Sequence, residues 1–112
     1  MRIRTLLLML LFAAPVQAAD INLVIDILAC ESSGKYDAVG DDGISYGIAQ
    51  FRKETFYEFA ALAGFIHFQY KNPIHQLRVM NWALDHGYGR RWTCYRKLKE
   101  EEQNAKPKKL HP

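Results

Sequence analysis

Residues 20–34 read DINLVIDILACESSG and predict the helix around which the rest of the chain is arranged. Apolar side chains recur there at spacings of three and four, which is the pattern of a helix with one buried face. Either Asp20 or Asn22 can cap the helix at its start, and it is expected to end at Ser32 or Ser33, before a glycine. The predicted apolar face consists of Ile21, Val24, Ile25, Ile27 and Leu28.

The carboxyl of Glu31 continues this apolar face by one further position. Burial disfavours its charged form, and the negative end of the helix dipole does the same in the last turn, so the pKa of Glu31 is expected to be raised. A carboxyl with a raised pKa can donate a proton near neutral pH, as a general acid must. The alternative is an exposed surface glutamate near a helix end. The pattern therefore makes Glu31 the candidate catalytic acid.

The chain downstream of this helix is divided by glycines and helix caps. Residues 35–49 hold three glycines and predict either a short β-hairpin, with Asp41-Asp42-Gly43 as its turn, or an irregular loop. A second helix is predicted over 53–63. A third should run from Asn72-Pro73 to about His86, and both are stopped by a glycine. The predicted inward face of the third helix consists of Leu77, Met80, Ala83 and Leu84.

These elements predict one small, mainly α domain (α+β) over residues 20–98. A last short helix is expected over 92–98. Residues 99–112, KEEEQNAKPKKLHP, have almost no apolar content and are predicted to be a disordered charged tail.

The first residues are typical of a secretory signal peptide, predicted over 1–18. Arg2 and Arg4 precede an apolar run over 6–14, and Val16-Gln17-Ala18 offers small residues where a signal peptidase cuts. The run is shorter than the roughly 20 residues of a membrane-spanning helix, so a permanent anchor is the weaker alternative. We therefore expect an exported protein, periplasmic or secreted.

Charge and cysteine content limit the possible partners. Of the 15 lysines and arginines, 13 remain when Arg2 and Arg4 are removed, and they nearly balance the 12 acidic residues, which gives no indication of a nucleic-acid partner. The basic residues concentrate in the second half, where they either solubilise the surface or help to hold an anionic cell wall. Cys30 and Cys94 suffice for one disulfide, which would stabilise the fold by about 4 kcal/mol.

A zinc site is the alternative use of these cysteines. It would combine them with His67, His75 or His86, although the chain has neither a CxxC nor an HxxxH spacing. We expect no metal, no cofactor and a monomer.

A longer pattern extends the case for Glu31, because CESSG at 30–34 is followed by GISYGIAQF at 43–51. This order resembles the motif of lysozyme-like lytic transglycosylases, in which a helix-ending Glu-Ser precedes a glycine loop and a Gly-x-x-Gln segment. With GYGRRWTC at 87–94, the chain is most similar to the catalytic domains of resuscitation-promoting factors over 23–95. It lacks the Ala-Tyr-Asn segment of many soluble lytic transglycosylases.

The resemblance implies a lysozyme-like fold that cleaves peptidoglycan between N-acetylmuramic acid and N-acetylglucosamine, leaving 1,6-anhydromuramoyl ends. It implies that Glu31 is the acid, that Ser32 orients it, and that Cys30 pairs with Cys94. The residues expected to contact the glycan are Ser32, Tyr46, Gly47, Gln50 and Trp92.

Two further functions remain open at this point. One is a hydrolytic lysozyme-type muramidase, which needs a second carboxylate. The nearby candidates are Asp37, Asp41 and Asp42, but the last two belong to the predicted turn and are expected to face solvent. The other is a non-catalytic peptidoglycan-binding module of a secretion or conjugation apparatus. Such an envelope-spanning apparatus could equally be the partner of the enzyme.

Overall fold

The structure is a computed structural model that describes residues 20–105. The predicted signal peptide, 1–18, and residues 106–112 of the predicted tail lie outside the described residues. Helix α1 spans Ile21–Ser32, and its start is capped by Asp20, whose carboxylate accepts a hydrogen bond from the Asn22 N–H. Ser33, with a φ of 54°, takes the left-handed position that ends the helix. The predicted bounds of the first helix are confirmed.

The buried face of α1 differs from the predicted face. Val24 and Ile27 are buried, whereas Ile21 is 66% exposed and Ile25 is 54% exposed. The sequence offers two overlapping apolar rows that share Val24, and packing against the C-terminal helix selects the row that continues to Glu31. The prediction for Ile21 and Ile25 was therefore wrong.

A small antiparallel sheet follows α1, which confirms the hairpin among the two predicted alternatives. Its strands are β1 (Val39–Gly40), β2 (Ser45–Tyr46) and β3 (Phe51–Arg52), in the order β1-β2-β3. A 3-10 turn, Asp41–Gly43, joins the first two strands. Gly47, with a φ of 92°, lies in the connection to β3, a strand that the sequence pattern did not predict.

Two helices complete the central part of the chain within one residue of their predicted bounds. Helix α2 spans Lys53–Ala63 and ends at Gly64, and helix α3 spans Pro73–Asp85. The side-chain amide oxygen of Asn72 accepts hydrogen bonds from the backbone N–H groups of Ile74 and His75 in the first turn of α3. The residues of α3 that are buried are Gln76, Val79, Met80 and Ala83, whereas Leu77 and Leu84 of the predicted face are half-buried.

Helix α4 spans Thr93–Ala105, so it continues seven residues beyond the predicted boundary. Residues 99–105, predicted to be disordered, are helical. Lysine, glutamate, glutamine and alanine are strong helix formers, so a started helix continues through them without burying apolar surface. Lys99 and Glu102 also form an ion pair of 3.4 Å one turn apart.

The core lies where α2, α3 and the sheet meet. Phe51, Phe56 and Phe59 are buried, and the Phe51 ring contacts Phe56, Phe59 and Trp92 edge to face. Helix α1 packs against α4, and a disulfide joins Cys30 of α1 to Cys94 of α4. The domain is therefore a small α+β fold with one disulfide, and no helix within residues 20–105 has the length and apolar character to span a membrane.

Candidate active site

Two independent links hold Glu31 in the last turn of α1. Its Oε1 accepts a hydrogen bond of 3.2 Å from the backbone N–H of Cys94. The preceding residue, Cys30, is bonded to the side chain of that same Cys94. Because one link is covalent and the other is made by the carboxylate itself, the position of the acid depends directly on the start of α4.

The electrostatic environment of Glu31 favours its neutral form. Burial raises the pKa of the carboxyl above its usual range, and the negative charge of Asp41 raises it further. The hydrogen bond from Cys94 and the positive charges of Lys97 and Arg96 act in the opposite direction, but burial is the larger effect. The prediction of a raised pKa is thus supported, with burial as its main cause.

Glu31 lies on a cleft of about 530 Å³ between the sheet and the start of α4. Asp41 and Asp42 of the 3-10 turn line it together with Glu31. Basic and hydroxyl side chains from β3, α2, α4 and the segment before α4 add to the polar lining. These are Arg52, Thr55, Arg91, Thr93 and Arg96. The cleft can therefore hold a polar ligand against a half-buried carboxyl.

Asp41 does more than face solvent. Although it is exposed, it lines the cleft and accepts a hydrogen bond of 2.6 Å from the hydroxyl of Ser45, which is buried on β2. Asp41 is the first residue of the turn and has a left-handed backbone conformation, with a φ of 52°. The prediction that Asp41 and Asp42 belong to an exposed turn is confirmed, but this turn also lines the cleft, which the sequence did not indicate.

The structure brings two of the predicted glycan-contacting residues, Gln50 and Trp92, to the cleft with Glu31. The Gln50 side-chain amide donates to the carbonyl groups of Ala38 and Gly47, so it also fastens the sheet to the preceding loop. Trp92 is only 4% exposed, and its indole N–H donates to the Ala49 carbonyl at 2.7 Å. Trp92 therefore shapes the cleft wall as a core residue and presents no open ring face to a sugar.

The other three predicted contacts lie outside the cleft lining. Ser32 is buried, and its hydroxyl donates to the Leu28 carbonyl and accepts from the Gly34 N–H, so it secures the helix end next to Glu31. The Tyr46 ring contacts Tyr70 instead. Gly47 is buried beneath α3. Ser32 acts through the helix end, and within residues 20–105 no hydrogen bond joins its hydroxyl to the Glu31 carboxyl.

Gln76 is a residue of the site's framework that sequence reasoning missed. Its fully buried side chain accepts a hydrogen bond from the Ala49 N–H at 3.1 Å and donates to the carbonyls of Tyr46 and Tyr70 at 3.0 and 2.8 Å. A Cβ on Gly47 would lie 2.3 Å from the Gln76 amide, which explains the glycine. The available signal was a glutamine in line with the apolar positions of α3.

The cysteines and histidines form no metal site in the described part of the chain. Cys30 and Cys94 are oxidised to a disulfide, which overturns the zinc alternative. Among residues 20–105, no three His, Cys, Asp or Glu side chains cluster as metal ligands would. Comparisons with protein-family models, with curated proteins and with solved structures return no match for this chain.

Proposed function

We propose that this protein is an exported lytic transglycosylase that cleaves peptidoglycan between N-acetylmuramic acid and N-acetylglucosamine. The observation that carries the proposal is the half-buried Glu31, which has a raised pKa, a fixed position and access to a polar cleft. A general acid for glycoside cleavage needs these three properties together. The resemblance of the motif around Glu31 to lysozyme-like transglycosylases supplies the substrate class.

The proposed reaction uses Glu31 first as an acid and then as a base. Its proton passes to the glycosidic oxygen as the bond to C1 of the muramic acid breaks. The oxygen of the sugar's own N-acetyl group stabilises the positive charge that develops at C1, until the 6-hydroxyl oxygen replaces it. The Glu31 carboxylate then takes the proton from the 6-hydroxyl, whose oxygen bonds to C1 and closes a 1,6-anhydro ring. Water is neither consumed nor released, and the acid is regenerated without a metal or a cofactor.

The charges around Glu31 suit both steps. Burial raises the pKa of Glu31 and so favours the protonated acid before the reaction, while Lys97, Arg96 and the Cys94 N–H stabilise the carboxylate that appears after proton transfer. The disulfide suits an oxidising compartment, as the proposed export requires. A non-catalytic peptidoglycan-binding module, with or without an envelope-spanning apparatus as partner, would have no need for a carboxyl held in this way.

A hydrolytic muramidase is the second candidate, and the position of Asp41 favours it. Asp41 lines the same cleft as Glu31 and accepts a hydrogen bond from Ser45. It can therefore act as the second carboxylate, which either activates water or stabilises the positive charge at C1. The two candidates share Glu31 as the acid. They differ in whether the muramic acid ends as an anhydro ring or as a reducing sugar.

Mass spectrometry of the products separates the two candidates. The chain is purified without residues 1–18, incubated with peptidoglycan, and the soluble fragments are weighed. Transglycosylation leaves fragments lighter than reducing-end fragments by one water, about 18 mass units. Reducing ends whose release is abolished in Asp41→Asn would establish the hydrolase instead. Peptidoglycan that stays intact with the wild-type chain would contradict both.

A further inference from the structure

A second polar groove, of about 510 Å³, runs along the exposed side of α4. Its lining is mostly basic, with Arg90, Arg96, Lys97 and Lys99 against one acid, Glu100. The ion pairs among residues 20–105 are Arg91 with Glu58 and Lys99 with Glu102. Three of the four cations in the groove therefore have no acidic partner in the described part of the chain, and the groove favours an anionic ligand.

This groove borders the Glu31 cleft. Thr93 and Arg96 line both. The Arg96 guanidinium is fixed at the junction, because it donates to the Arg90 carbonyl and to the Thr93 hydroxyl. One ligand can therefore place one part in the cleft and another, covalently attached part in the groove.

We propose that the α4 groove binds the anionic stem peptide carried by the muramic acid whose glycosidic bond lies at Glu31. This inference rests on the proposed function. The bond cleaved is the one at C1 of muramic acid, and this sugar bears the peptide through its lactyl group. The peptide must therefore leave the cleft close to Glu31. Its free carboxylates match the guanidinium and ammonium groups of Arg90, Arg96 and Lys97.

The inference assigns a specificity to the site. Strands that keep their peptides should bind more tightly than the same strands without peptides. The advantage should depend on salt, because exposed ion pairs are screened at higher ionic strength. The free lactyl carboxylate of a peptide-free strand stays on the sugar in the cleft, so it does not extend along the groove as a peptide does.

Binding is measured with Glu31→Gln protein, so that no turnover occurs and no titration of Glu31 contributes. The probes are short strands of alternating N-acetylglucosamine and N-acetylmuramic acid that bear tetrapeptides, and the same strands after removal of the peptide by an amidase. The test variant adds Arg90→Gln and Lys97→Gln. The control adds Lys35→Gln and Lys53→Gln, two exposed lysines outside the cleft and the groove, with the same loss of charge.

The ratio compared is the Kd of the peptide-free strand divided by the Kd of the peptide-bearing strand. In the test variant this ratio should fall roughly tenfold towards equal binding, as expected for two lost charge-assisted contacts. The control should keep the ratio of the Glu31→Gln protein. Equal losses for both probes, an unchanged ratio, or binding of neither probe would overturn the inference. So would a preference of the groove for anionic phospholipid vesicles that the peptide-bearing strands do not compete away.

Cleavage by the wild-type chain is followed in parallel, and it separates the inference from the proposed function. If the wild-type chain shortens the strands but the test variant keeps the Kd ratio of the Glu31→Gln protein, the proposed peptide site is wrong and the proposed enzymatic function is retained. If the ratio changes but the wild-type chain cuts nothing, the proposed reaction is wrong and the peptide site stands.

Discussion

The two ends of helix α1 are held in opposite ways. At the C-terminal end, Cys30 is covalently bonded, Glu31 accepts a backbone hydrogen bond, and Ser32 is buried. At the N-terminal end, the Asp20 cap is exposed, and Ile21 is 66% exposed. An amphipathic helix ordinarily buries its apolar residues and exposes its acids, but this one exposes two isoleucines and half-buries a glutamate.

The contrast shows where this small domain concentrates its stabilisation. A half-buried carboxyl at the negative end of a helix is unfavourable in two ways, through desolvation and through the dipole. The disulfide and the Cys94 hydrogen bond lie at that end, where they compensate for it. The other end carries no comparable cost, and a single side-chain cap suffices there.

Among substitutions at the two ends of α1, the largest expected effect is the loss of turnover when Glu31 is replaced. Replacing Glu31 by Gln keeps an oxygen for the Cys94 N–H but removes the proton donor. Release of soluble fragments from peptidoglycan should therefore fall by about 10²–10⁴-fold while the fold persists. The matched control is Asp26→Asn, which removes an exposed carboxyl from the same helix. It should retain wild-type turnover. Equal activity of Glu31→Gln and Asp26→Asn would remove Glu31 from the proposed mechanism.

The next effect is on stability. Replacing Cys30 and Cys94 together by Ser opens a loop that spans 64 positions, and the free energy of unfolding should drop by about 4 kcal/mol, as measured with urea. Turnover should drop as well, because Glu31 loses one of its two links to α4. Asp20→Ala, at the other end, should cost only about 1 kcal/mol and leave turnover unchanged. A disulfide-free variant with full turnover at a temperature where it is folded would show that the hydrogen bond alone positions the acid.

The smallest expected effect is on the pH dependence. In the proposed mechanism, proton donation weakens as the pH rises through the pKa of Glu31, so turnover is expected to have an alkaline limb. The negative charge of Asp41 raises this pKa and the positive charge of Lys97 lowers it. Asp41→Asn should therefore move the limb to lower pH, and Lys97→Gln should move it to higher pH, in assays on peptide-free strands. Shifts in the same direction would contradict the electrostatic account.

The same carboxyl links pH to stability, and the sign follows from its raised pKa. The folded protein keeps the Glu31 proton at pH values above the ordinary value of 4.5, where the unfolded chain has lost it. The contribution of this group to stability is therefore fully present at lower pH and declines as the pH rises through the folded pKa. Glu31→Gln should lack this decline in thermal unfolding, and its Tm at neutral pH should lie above that of the wild type.

Local signals were sufficient for most of the fold. Asn72-Pro73 and Gly64 marked helix ends within one residue, because caps and stops depend on backbone groups a few positions away. Three features depended on contacts from elsewhere in the chain. These are the exposure of Ile21 and Ile25, the burial of Gln76, and the third strand, which is held in place by the hairpin beside it.

The candidate site was predictable only in part, for the same reason. Glu31 and the Cys30–Cys94 pair could be named from the sequence. The donor to Glu31 could not, because it is a backbone N–H that lies 63 positions away and carries no sequence signature. Trp92 was predicted to contact the glycan, but its indole N–H donates to the Ala49 carbonyl and its ring packs against Phe51 in the core.

The disulfide also gives the domain the covalent topology of a ring. Residues 30–94 form a closed circuit of peptide bonds and one sulfur–sulfur bond. The connection between α2 and α3 is an exposed target for proteases, with Ile66 77% exposed. A single cut there would leave two fragments that cannot diffuse apart, and the helix that ends in Glu31 would stay joined to Cys94. For the exported enzyme proposed above, one nick in this connection would be survivable, and release of a fragment would require a second.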